Sequence, residues 1–317
     1  MTGSSRRHLG LLGVPLALAV LAGSVAAWTP GTHPGPSAPG ARAGRPPVTT
    51  VRAARAAGAR TTERAVVRHG LDVSHWQGRV DWRAVARAGI DFTWLKATEG
   101  TSLVDRTWER NRRAARRSGV LVGAYHFASP SRHRADAHRE ADHFLRTTRL
   151  RPGEMVPALD LEIDGGLSRT ELTRWTRAWI ARVRARLGVR PVLYTSPGFV
   201  AGELRGARRI ARDLAPHLWV AHWRTDAPAL PAGDWAGRGW SFWQWTDRGT
   251  VPGIAGPVDR NVYSGPPLRR LTVGAQRAIA AERAERGSGA RDARGRGGRD
   301  DRGADARAGR DGRGRRP

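Results

Sequence analysis

The chain has 317 residues, with 55 Lys or Arg against 28 Asp or Glu, so its formal net charge is +27. An apolar fraction of 39% and 13 Trp suffice to build a core, which excludes a wholly disordered chain. The absence of cysteine excludes disulfides, thiolate metal sites and a cysteine nucleophile.

The positive charge is spread along the whole chain. Residues 1–67 carry 8 Arg and 1 acid, residues 273–317 carry 13 Arg and 7 acids, and the segment between them keeps +14. This balance predicts attraction to a polyanion such as nucleic acid, an anionic membrane or an anionic cell-wall polymer. A general preference for arginine is an equally good explanation, because Lys96 is the only lysine.

Residues 1–27 have the pattern of an export signal. Arg6 and Arg7 precede an apolar run over residues 9–23, and small residues lead to a predicted cleavage near Ala27. A membrane anchor is the alternative, but the run is shorter than the roughly 20 apolar residues that span a bilayer. We therefore expect a secreted, extracellular protein with no membrane contact after cleavage, and the export route stays open.

The composition divides the rest of the chain into three parts. Residues 28–67 are rich in Pro, Gly, Ala and Arg without a hydrophobic period, which predicts a flexible linker. Residues 273–317 turn into repeats of Arg, Gly, Asp and Ala, which predict a disordered tail. The folded domain is predicted over residues 68–272.

Short apolar runs alternate with amphipathic stretches in this domain. Helices are predicted over residues 82–88, 106–118, 135–147 and 168–187, the last with a capping box of Ser168 and Glu171 and a stop at Gly188. Alternation of this kind predicts a parallel sheet. Eight strands predict a closed α/β barrel, that is, a single-domain (β/α) barrel of the TIM type. We expect this barrel to be irregular towards its last strands, where few helices are predicted between them. The predicted strands cover residues 69–73, 92–96, 120–126, 156–161, 191–194, 218–221, 241–245 and 258–262.

A set of polar residues each falls at or just past the carboxyl end of a predicted strand. In a parallel barrel these ends form the mouth where chemistry is placed, and several acids on one rim are hard to explain as core residues. The residues are Asp72, Lys96, Glu99, Tyr125, His126, Asp160, Glu162, Tyr194, Gln244 and Asp259.

Asp160 and Glu162 form the sharpest pattern. Residues i and i+2 of a strand share a face, so both carboxyls project together and their pKa values are pushed apart. Such a pair suits cleavage of a glycosidic bond. Metal binding by these two acids with Asp72 and Asp259 is the alternative, although no metal-binding motif supports it.

Two further features favour a sugar substrate. Six tryptophans cluster at strand ends, where flat rings suit stacking on pyranose rings, and we expect half of them to pack in the core. Lys96 indicates a position that needs a compact ammonium group and not a guanidinium. The tryptophans are Trp76, Trp94, Trp219, Trp223, Trp243 and Trp245.

These residues lie in motifs that resemble the glycoside hydrolase family 25 lysozymes over about residues 70–268. The order and spacing of the motifs make the resemblance specific. They are Gly70-Leu71-Asp72-Val73-Ser74-His75-Trp76-Gln77-Gly78, Asp81-Trp82, Lys96-Ala97-Thr98-Glu99-Gly100, Gly123-Ala124-Tyr125-His126-Phe127, Asp160-Leu161-Glu162, Tyr194-Thr195-Ser196, Leu218-Trp219-Val220-Ala221, Phe242-Trp243-Gln244-Trp245 and Val258-Asp259-Arg260-Asn261.

The resemblance implies an irregular β/α barrel and assigns roles to four acids. Glu162 corresponds to the proton donor, Asp160 to its partner, and Asp72 and Asp259 to the other acids of the site. The family is thought to retain configuration, with the 2-acetamido group of the substrate attacking and Asp160 orienting it. Asp160 as a direct nucleophile is the competing assignment.

The resemblance also implies the substrate, the β-1,4 bond between N-acetylmuramic acid and N-acetylglucosamine in peptidoglycan. We expect no cofactor or metal, a monomer, and no specific nucleic acid partner. Trp245 and Glu140 depart from the usual family residues. The alternatives are a hydrolase directed at chitin or N-acetylglucosamine, and a non-catalytic binder of cell wall or polyanion. Substrate contacts are expected from Trp76, Lys96, Glu99, Tyr125, Tyr194, Trp219, Gln244 and Trp245.

Overall fold

The computed structural model describes residues 66–297, with side chains over residues 67–286. The predicted export signal and nearly all of the predicted linker lie outside these residues. The described part contains nine strands, of which eight close a barrel. They are β1 (Val66–Val73), β2 (Phe92–Glu99), β3 (Leu103–Val104), β4 (Leu121–Phe127), β5 (Ala158–Asp160), β6 (Val192–Thr195), β7 (Leu218–Ala221), β8 (Phe242–Gly249) and β9 (Val258–Gly265).

The strand order around the barrel is β1-β9-β8-β7-β6-β5-β4-β2, and pairing of β1 with β2 closes it. Six neighbouring pairs are parallel, but β9 runs antiparallel to both β8 and β1. The prediction of a wholly parallel sheet is therefore wrong at β9, because β8 and β9 are joined without a helix and form a hairpin. The two-residue strand β3, which was not predicted, adds to the end of β2.

Seven α-helices follow the strands in the described part of the chain. The capping box of Ser168 and Glu171 and the left-handed cap at Gly188 are confirmed at the two ends of the fourth helix. The helices are α1 (Trp82–Arg87), α2 (Trp108–Arg117), α3 (Asp136–Thr148), α4 (Arg169–Leu187), α5 (Pro197–Glu203), α6 (Ala207–Asp213) and α7 (Val273–Gly297). A separate turn over Pro231–Gly237 has left-handed backbone angles.

The helix α7 differs from the disordered tail predicted from residue 273. Val273 is fully buried and its amide donates to the carbonyl of Glu154 at 2.8 Å. The Arg277 Nε donates to the carbonyl of Leu187 at 2.6 Å, which attaches the second turn to the end of α4. Alanine, arginine and glutamate, which favour helix, continue it from there.

The barrel interior is packed with aromatic rings. Trp94 stacks on Trp219 with ring centroids 5.3 Å apart and meets the edge of Phe242 at 5.5 Å. Gly123 makes room for this cluster, since a Cβ there would lie 2.4 Å from the Trp94 ring. The filled interior leaves the mouth, at the carboxyl ends of the parallel strands, as the place for a site.

No helix within residues 66–297 is long and apolar enough to cross a membrane.

Candidate active site

The mouth of the barrel brings together four acids from three strand ends. Asp72 lies one residue before the end of β1, Asp160 ends β5, and Glu162 follows two residues later. Asp259 was predicted at the carboxyl end of its strand, but it lies at the start of β9, opposite Asp72 in the register. It reaches the same rim because β9 runs antiparallel, which places its amino end where the other strands finish.

Amide side chains hold Asp72 in place. Its Oδ2 accepts hydrogen bonds from Asn261 Nδ2 at 2.7 Å and from Gln244 Nε2 at 3.0 Å. The Oε1 of Gln244 accepts from the hydroxyl of Tyr194 at 3.0 Å and from Trp223 Nε1 at 2.9 Å. Because the indole N–H of Trp223 can only donate, the atom facing it is the amide oxygen of Gln244, and the NH₂ group points at Asp72.

Asp72 and Asp259 form a hydrogen-bonded pair with unequal proton affinity. Burial raises the pKa of Asp72 to about 6, although the bonds from Asn261 and Gln244 lower it in part. Burial and then the charge of Asp72 raise the pKa of Asp259 to about 9. At neutral pH the proton therefore stays on Asp259 and the charge stays on Asp72.

Asp160 and Glu162 form the second hydrogen-bonded pair. Burial and then the charge of Glu162 raise the pKa of Asp160 well above its usual range. Burial also raises the pKa of Glu162, while the bond with Asp160 and the charge of Lys96 lower it in part. Both pKa values are raised, which favours a proton shared by the two carboxyls. Glu162 lies in the loop after β5, and not on the strand face from which the pairing was predicted.

The two partners differ in their access to the mouth. The Glu162 side chain is exposed to solvent because it lines an open rim, even though the surrounding protein removes much of its hydration. Asp160 is only 6% exposed, and its Oδ1 is buried without a hydrogen-bond partner among the described residues.

Lys96 lies in β2, three residues before the strand ends, and its charge acts on both acids of this pair. Its Nζ contacts Glu99 Oε2 at 2.5 Å and lies 4.7 Å from the ring centroid of Phe127. The ammonium group is nearly buried, so its charge acts on Asp160 and Glu162 with little screening by solvent. The structure thus joins Lys96 and Glu99 to the acids, as the sequence predicted.

Two buried tyrosines complete the floor of the mouth. Burial and then the charges of the site acids, Asp72 for Tyr125 and Glu162 for Tyr194, raise the pKa of both phenols well above the usual range. Both remain neutral, so each can donate a hydrogen bond.

The aromatic residues predicted to stack on sugar fall into different environments. Trp76 is 76% exposed on the short helical turn after β1, which suits a sugar platform. Trp219 is only 1% exposed, so the structure does not place it where a sugar can reach it; its Nε1 donates to Asn261 Oδ1 at 2.7 Å. Trp245 is half-buried, and the guanidinium of Arg260 lies 5.3 Å from its ring centroid. Trp94 and Trp243 are fully buried in the core.

Sequence reasoning missed Asn261 as a member of the site. Asn261 stands two residues after Asp259, so alternation along β9 places both on one face. The same rule that identified Asp160 and Glu162 could have found it. Trp223, which was predicted to lie at a strand end and to stack on sugar, lies in the loop just after β7, where its indole holds Gln244.

His126, which was also noted at a strand end, faces away from the mouth. Its Nε2 lies 2.8 Å from Glu140 Oε2 on α3, and its Nδ1 lies 2.8 Å from the hydroxyl of Thr98. Burial lowers the pKa of His126 to about 3 and raises that of Glu140 to about 8. Both groups are neutral at pH 7 and join α3 to the barrel wall.

Within residues 66–297, no group of three or more His, Cys, Asp or Glu is placed to hold a metal ion.

Comparison with known proteins places this fold and these motifs in one family. The chain is 40% identical over 202 residues to the uncharacterized protein YegX of Escherichia coli strain K12, covering 62% of this chain and 70% of YegX. It is 36% identical to lysozyme M1 of Streptomyces globisporus, covering 64% of this chain and 70% of that lysozyme. The crystal structure of a bacterial lysozyme from Streptomyces coelicolor matches with a TM-score of 0.59 and 32% identity, covering 69% of this chain and 99% of that one. The profile described as glycosyl hydrolases family 25 matches residues 71–254, more than half of the chain. The chain therefore belongs to glycosyl hydrolase family 25 and is a glycoside hydrolase.

Proposed function

We propose that this chain is a secreted lysozyme that hydrolyses the β-1,4 bond between N-acetylmuramic acid and N-acetylglucosamine in peptidoglycan. The observation that carries the proposal is the hydrogen-bonded pair of Asp160 and Glu162 at the barrel mouth, in which burial raises the pKa of both carboxyls. A relative named lysozyme M1 supports the choice of peptidoglycan as substrate. The export signal over residues 1–27 is part of the same proposal, as is a catalytic domain that begins near residue 68 and extends past residue 272 into α7.

Glu162 is the proposed proton donor. Its carboxyl is the member of the pair that solvent reaches, so a glycosidic oxygen can approach it. Asp160 and Glu162 share a proton through their hydrogen bond. When the substrate donates a hydrogen bond to Asp160, the shared proton resides on Glu162. The leaving oxygen then takes this proton as the glycosidic bond breaks.

Asp160 is proposed to orient the 2-acetamido group of the substrate. The carboxyl group of Asp160, which borders the mouth, can accept the amide N–H of this group, which pushes electron density towards the carbonyl oxygen that attacks the anomeric carbon. An enzymatic nucleophile needs carboxyl groups about 5 Å apart on either side of that carbon. Two carboxyls in hydrogen-bond contact are closer than this, which favours assistance by the substrate over direct attack by Asp160.

The remaining residues are proposed to bind the sugar and its developing charge. Asp72, which is charged at neutral pH, adds negative potential near the anomeric carbon, and protonated Asp259 holds it there. Trp76 offers a platform at the rim. Lys96, Glu99, Tyr125, Tyr194 and Gln244 line the inner part of the mouth.

A glutamine substitution tests the proton donor. Glu162→Gln keeps the size of the side chain but removes the acid, so we expect the rate of reducing-end release from peptidoglycan to fall by about 10³-fold or more. Glu282→Gln on the exposed face of α7 is the matched control and should retain full activity. Full activity of Glu162→Gln would remove the assignment.

A modified substrate tests the role of Asp160. Peptidoglycan N-deacetylated on muramic acid lacks the carbonyl oxygen that attacks, so substrate assistance predicts loss of cleavage by wild-type protein. Unchanged cleavage with trapping of a glycosyl ester on Asp160 would instead establish direct attack.

A further inference from the structure

Exposed apolar side chains are concentrated around the mouth of the barrel. Five large apolar side chains are exposed in the part of the chain that the structure describes, and four of them lie next to strands that end at the mouth. Trp76 follows β1, Leu103 and Val104 form β3 beside the end of β2, and Ile163 follows Glu162. Exposed apolar groups that gather on one rim indicate a binding surface, whereas singly scattered ones do not.

Trp76 is the most exposed of these side chains, at 76%, yet the chain on both sides of it is fixed. Before the indole, the backbone amide of Ser74 donates to Gln77 Oε1 at 2.9 Å. After it, Arg110 of α2 donates to the carbonyl of Gly78 at 2.5 Å. The turn is therefore held in one conformation while the indole stays in solvent.

A buried carboxylate anchors the same turn. The backbone amide of His75 and its ring Nδ1 lie 2.8 and 2.9 Å from Oδ2 of Asp105, whose side chain has no exposure to solvent. The Oδ1 of Asp105 accepts from the amide and the hydroxyl of Thr107 at 2.8 and 2.6 Å. The amide of Asp105 donates to the carbonyl of Ala97 in β2 at 2.9 Å. Asp105 thus ties the turn after β1 to the end of β2.

The charge of Asp105 fixes the orientation of the imidazole. Burial raises the pKa of Asp105, but hydrogen bonds from Thr107 and His75 outweigh it, so the pKa lies below its usual value. The ionised carboxylate can only accept, so Nδ1 of His75 carries the hydrogen and makes a charge-assisted bond. The ring centroids of His75 and Trp76 lie 4.7 Å apart with 34° between the planes. The fixed imidazole therefore supports the indole.

We propose that Asp105 and His75 are positioning residues, which hold the Trp76 ring as a platform for a sugar ring of the glycan strand. The apolar face of a pyranose covers an indole, and a ring that is already fixed binds it with little further loss of side-chain freedom. Trp76 is exposed at the rim and Asp160 is buried inside the mouth, so the sugar on Trp76 is a neighbour of the ring whose bond is cleaved.

The proposal has two parts with different foundations. The identity of the glycan rests on the proposed function. The anchoring of Trp76 through His75 rests on the contacts of Asp105 and does not depend on which glycan is cleaved.

Binding of glycan to the full chain carrying Glu162→Gln tests the platform without cleavage. The probe is the tetrasaccharide of two N-acetylglucosamine–N-acetylmuramic acid repeats, titrated by calorimetry. Trp76→Ala removes the platform, so we expect Kd to rise about tenfold. Because Trp76 is exposed, this variant tests the platform even where changes at His75 lower stability.

A second substitution tests the role of the anchor. His75→Phe keeps a ring against Trp76 but removes the bond from Nδ1 to Asp105, so we expect Kd to rise about fivefold. In protein that also carries Trp76→Ala, the same change should alter Kd less than about twofold, because a positioning residue acts only through the group that it holds. A general defect of the fold would instead weaken binding equally in both backgrounds.

His217→Phe is the matched control. His217 lies directly before β7, at the opposite end of the barrel, and its Nδ1 lies 3.0 Å from the hydroxyl of Ser241. The substitution removes a similar ring contact away from the mouth and should change Kd less than about twofold.

Two outcomes would overturn the proposal. An unchanged Kd in Trp76→Ala means that no sugar stacks on this indole. An equal rise in Kd from His75→Phe with and without the indole means that His75 does not act through Trp76.

Cleavage assays separate this proposal from the proposed function. In otherwise wild-type protein, His75→Phe should raise KM for peptidoglycan about fivefold and leave kcat within about twofold. Cleavage with an unchanged KM contradicts the anchored platform and leaves the proposed function standing. Absence of cleavage by wild-type protein contradicts the proposed function, and the same Kd comparisons with the tetrasaccharide of N-acetylglucosamine then decide the platform.

Discussion

The four acids at the mouth have similar side chains but different surroundings, and these surroundings decide which of them carries charge. Asp72 accepts two amide hydrogen bonds and stays ionised, while its partner Asp259 keeps a proton. Asp160 and Glu162 share a proton, but only Glu162 is open to solvent. Proton donation and charge stabilisation are thus divided between two pairs.

The proton on Asp259 predicts a dependence of stability on pH. A pKa raised to about 9 means that the folded state binds this proton more tightly than the unfolded state, so its contribution is present at low pH and lost as pH rises towards 9. Asp259→Asn carries no ionisable proton and avoids this loss. We expect its Tm relative to wild type to rise by roughly 3–8 °C between about pH 5 and about pH 9.

Calorimetry at several pH values measures this difference. Asp234→Asn, at an exposed position away from the mouth, is the control and should show a constant difference. A Tm difference for Asp259→Asn that does not change with pH would contradict a proton on Asp259.

Some contacts between individual residues can be predicted from the sequence, and others cannot. Alternation along a strand predicted that Asp160 and Glu162 project together, and their carboxyls do meet, although β5 ends at Asp160 and Glu162 lies in the loop that follows. It could not show that Trp219 is buried or that it holds Asn261, because those contacts depend on how rings from distant strands share the interior. Burial of a large side chain at a strand end is decided by packing, which no local pattern contains.

At the scale of elements, the barrel depends on where small and large residues meet. Gly70 lies opposite Phe92 across β1 and β2, and a Cβ at Gly70 would lie 2.3 Å from the Phe92 ring. Strands and helices were predictable because their hydrophobic periods are local. The direction of β9 was not predictable from the sequence, because it depends on the hairpin that β8 and β9 form around the irregular loop between them.

The glycine in β4 gives a test of this packing. Gly123→Ala places a Cβ against Trp94 and Met155 in a filled interior, so we expect the free energy of unfolding to fall by about 1–3 kcal/mol. Gly153→Ala, where a Cβ meets nothing within 4 Å, should change it by less than about 0.5 kcal/mol. Urea unfolding measures both, and equal effects would contradict the close approach at Gly123.

At the scale of the whole molecule, the positive charge is spread along the chain, whereas the acids of the candidate site lie together at the mouth of the barrel. The net charge of +27 predicts attraction to an anionic wall, while the groups that would act on the substrate are carboxyls at one end of the barrel. Charge is therefore expected to govern how the protein reaches the wall and not how fast it cleaves a bound glycan.

The salt dependence of activity tests whether charge acts on the approach to the wall and not on cleavage. Raising salt from about 0.05 M to about 0.5 M shortens the screening length to a few ångströms, so clearing of intact walls should slow by about fivefold or more. Cleavage of a soluble, uncharged glycan oligomer should change less than about twofold under the same conditions. Equal inhibition of both would place the salt effect in the site itself.

In the proposed reaction, the pair of Asp160 and Glu162 cleaves the bond that follows N-acetylmuramic acid in peptidoglycan. Mass spectrometry of fragments, reduced with borohydride after digestion, identifies the sugar at each new reducing end. We predict reduced N-acetylmuramic acid with wild-type protein and no new ends with Glu162→Gln. Reduced N-acetylglucosamine, or equal products from the variant, would contradict this assignment.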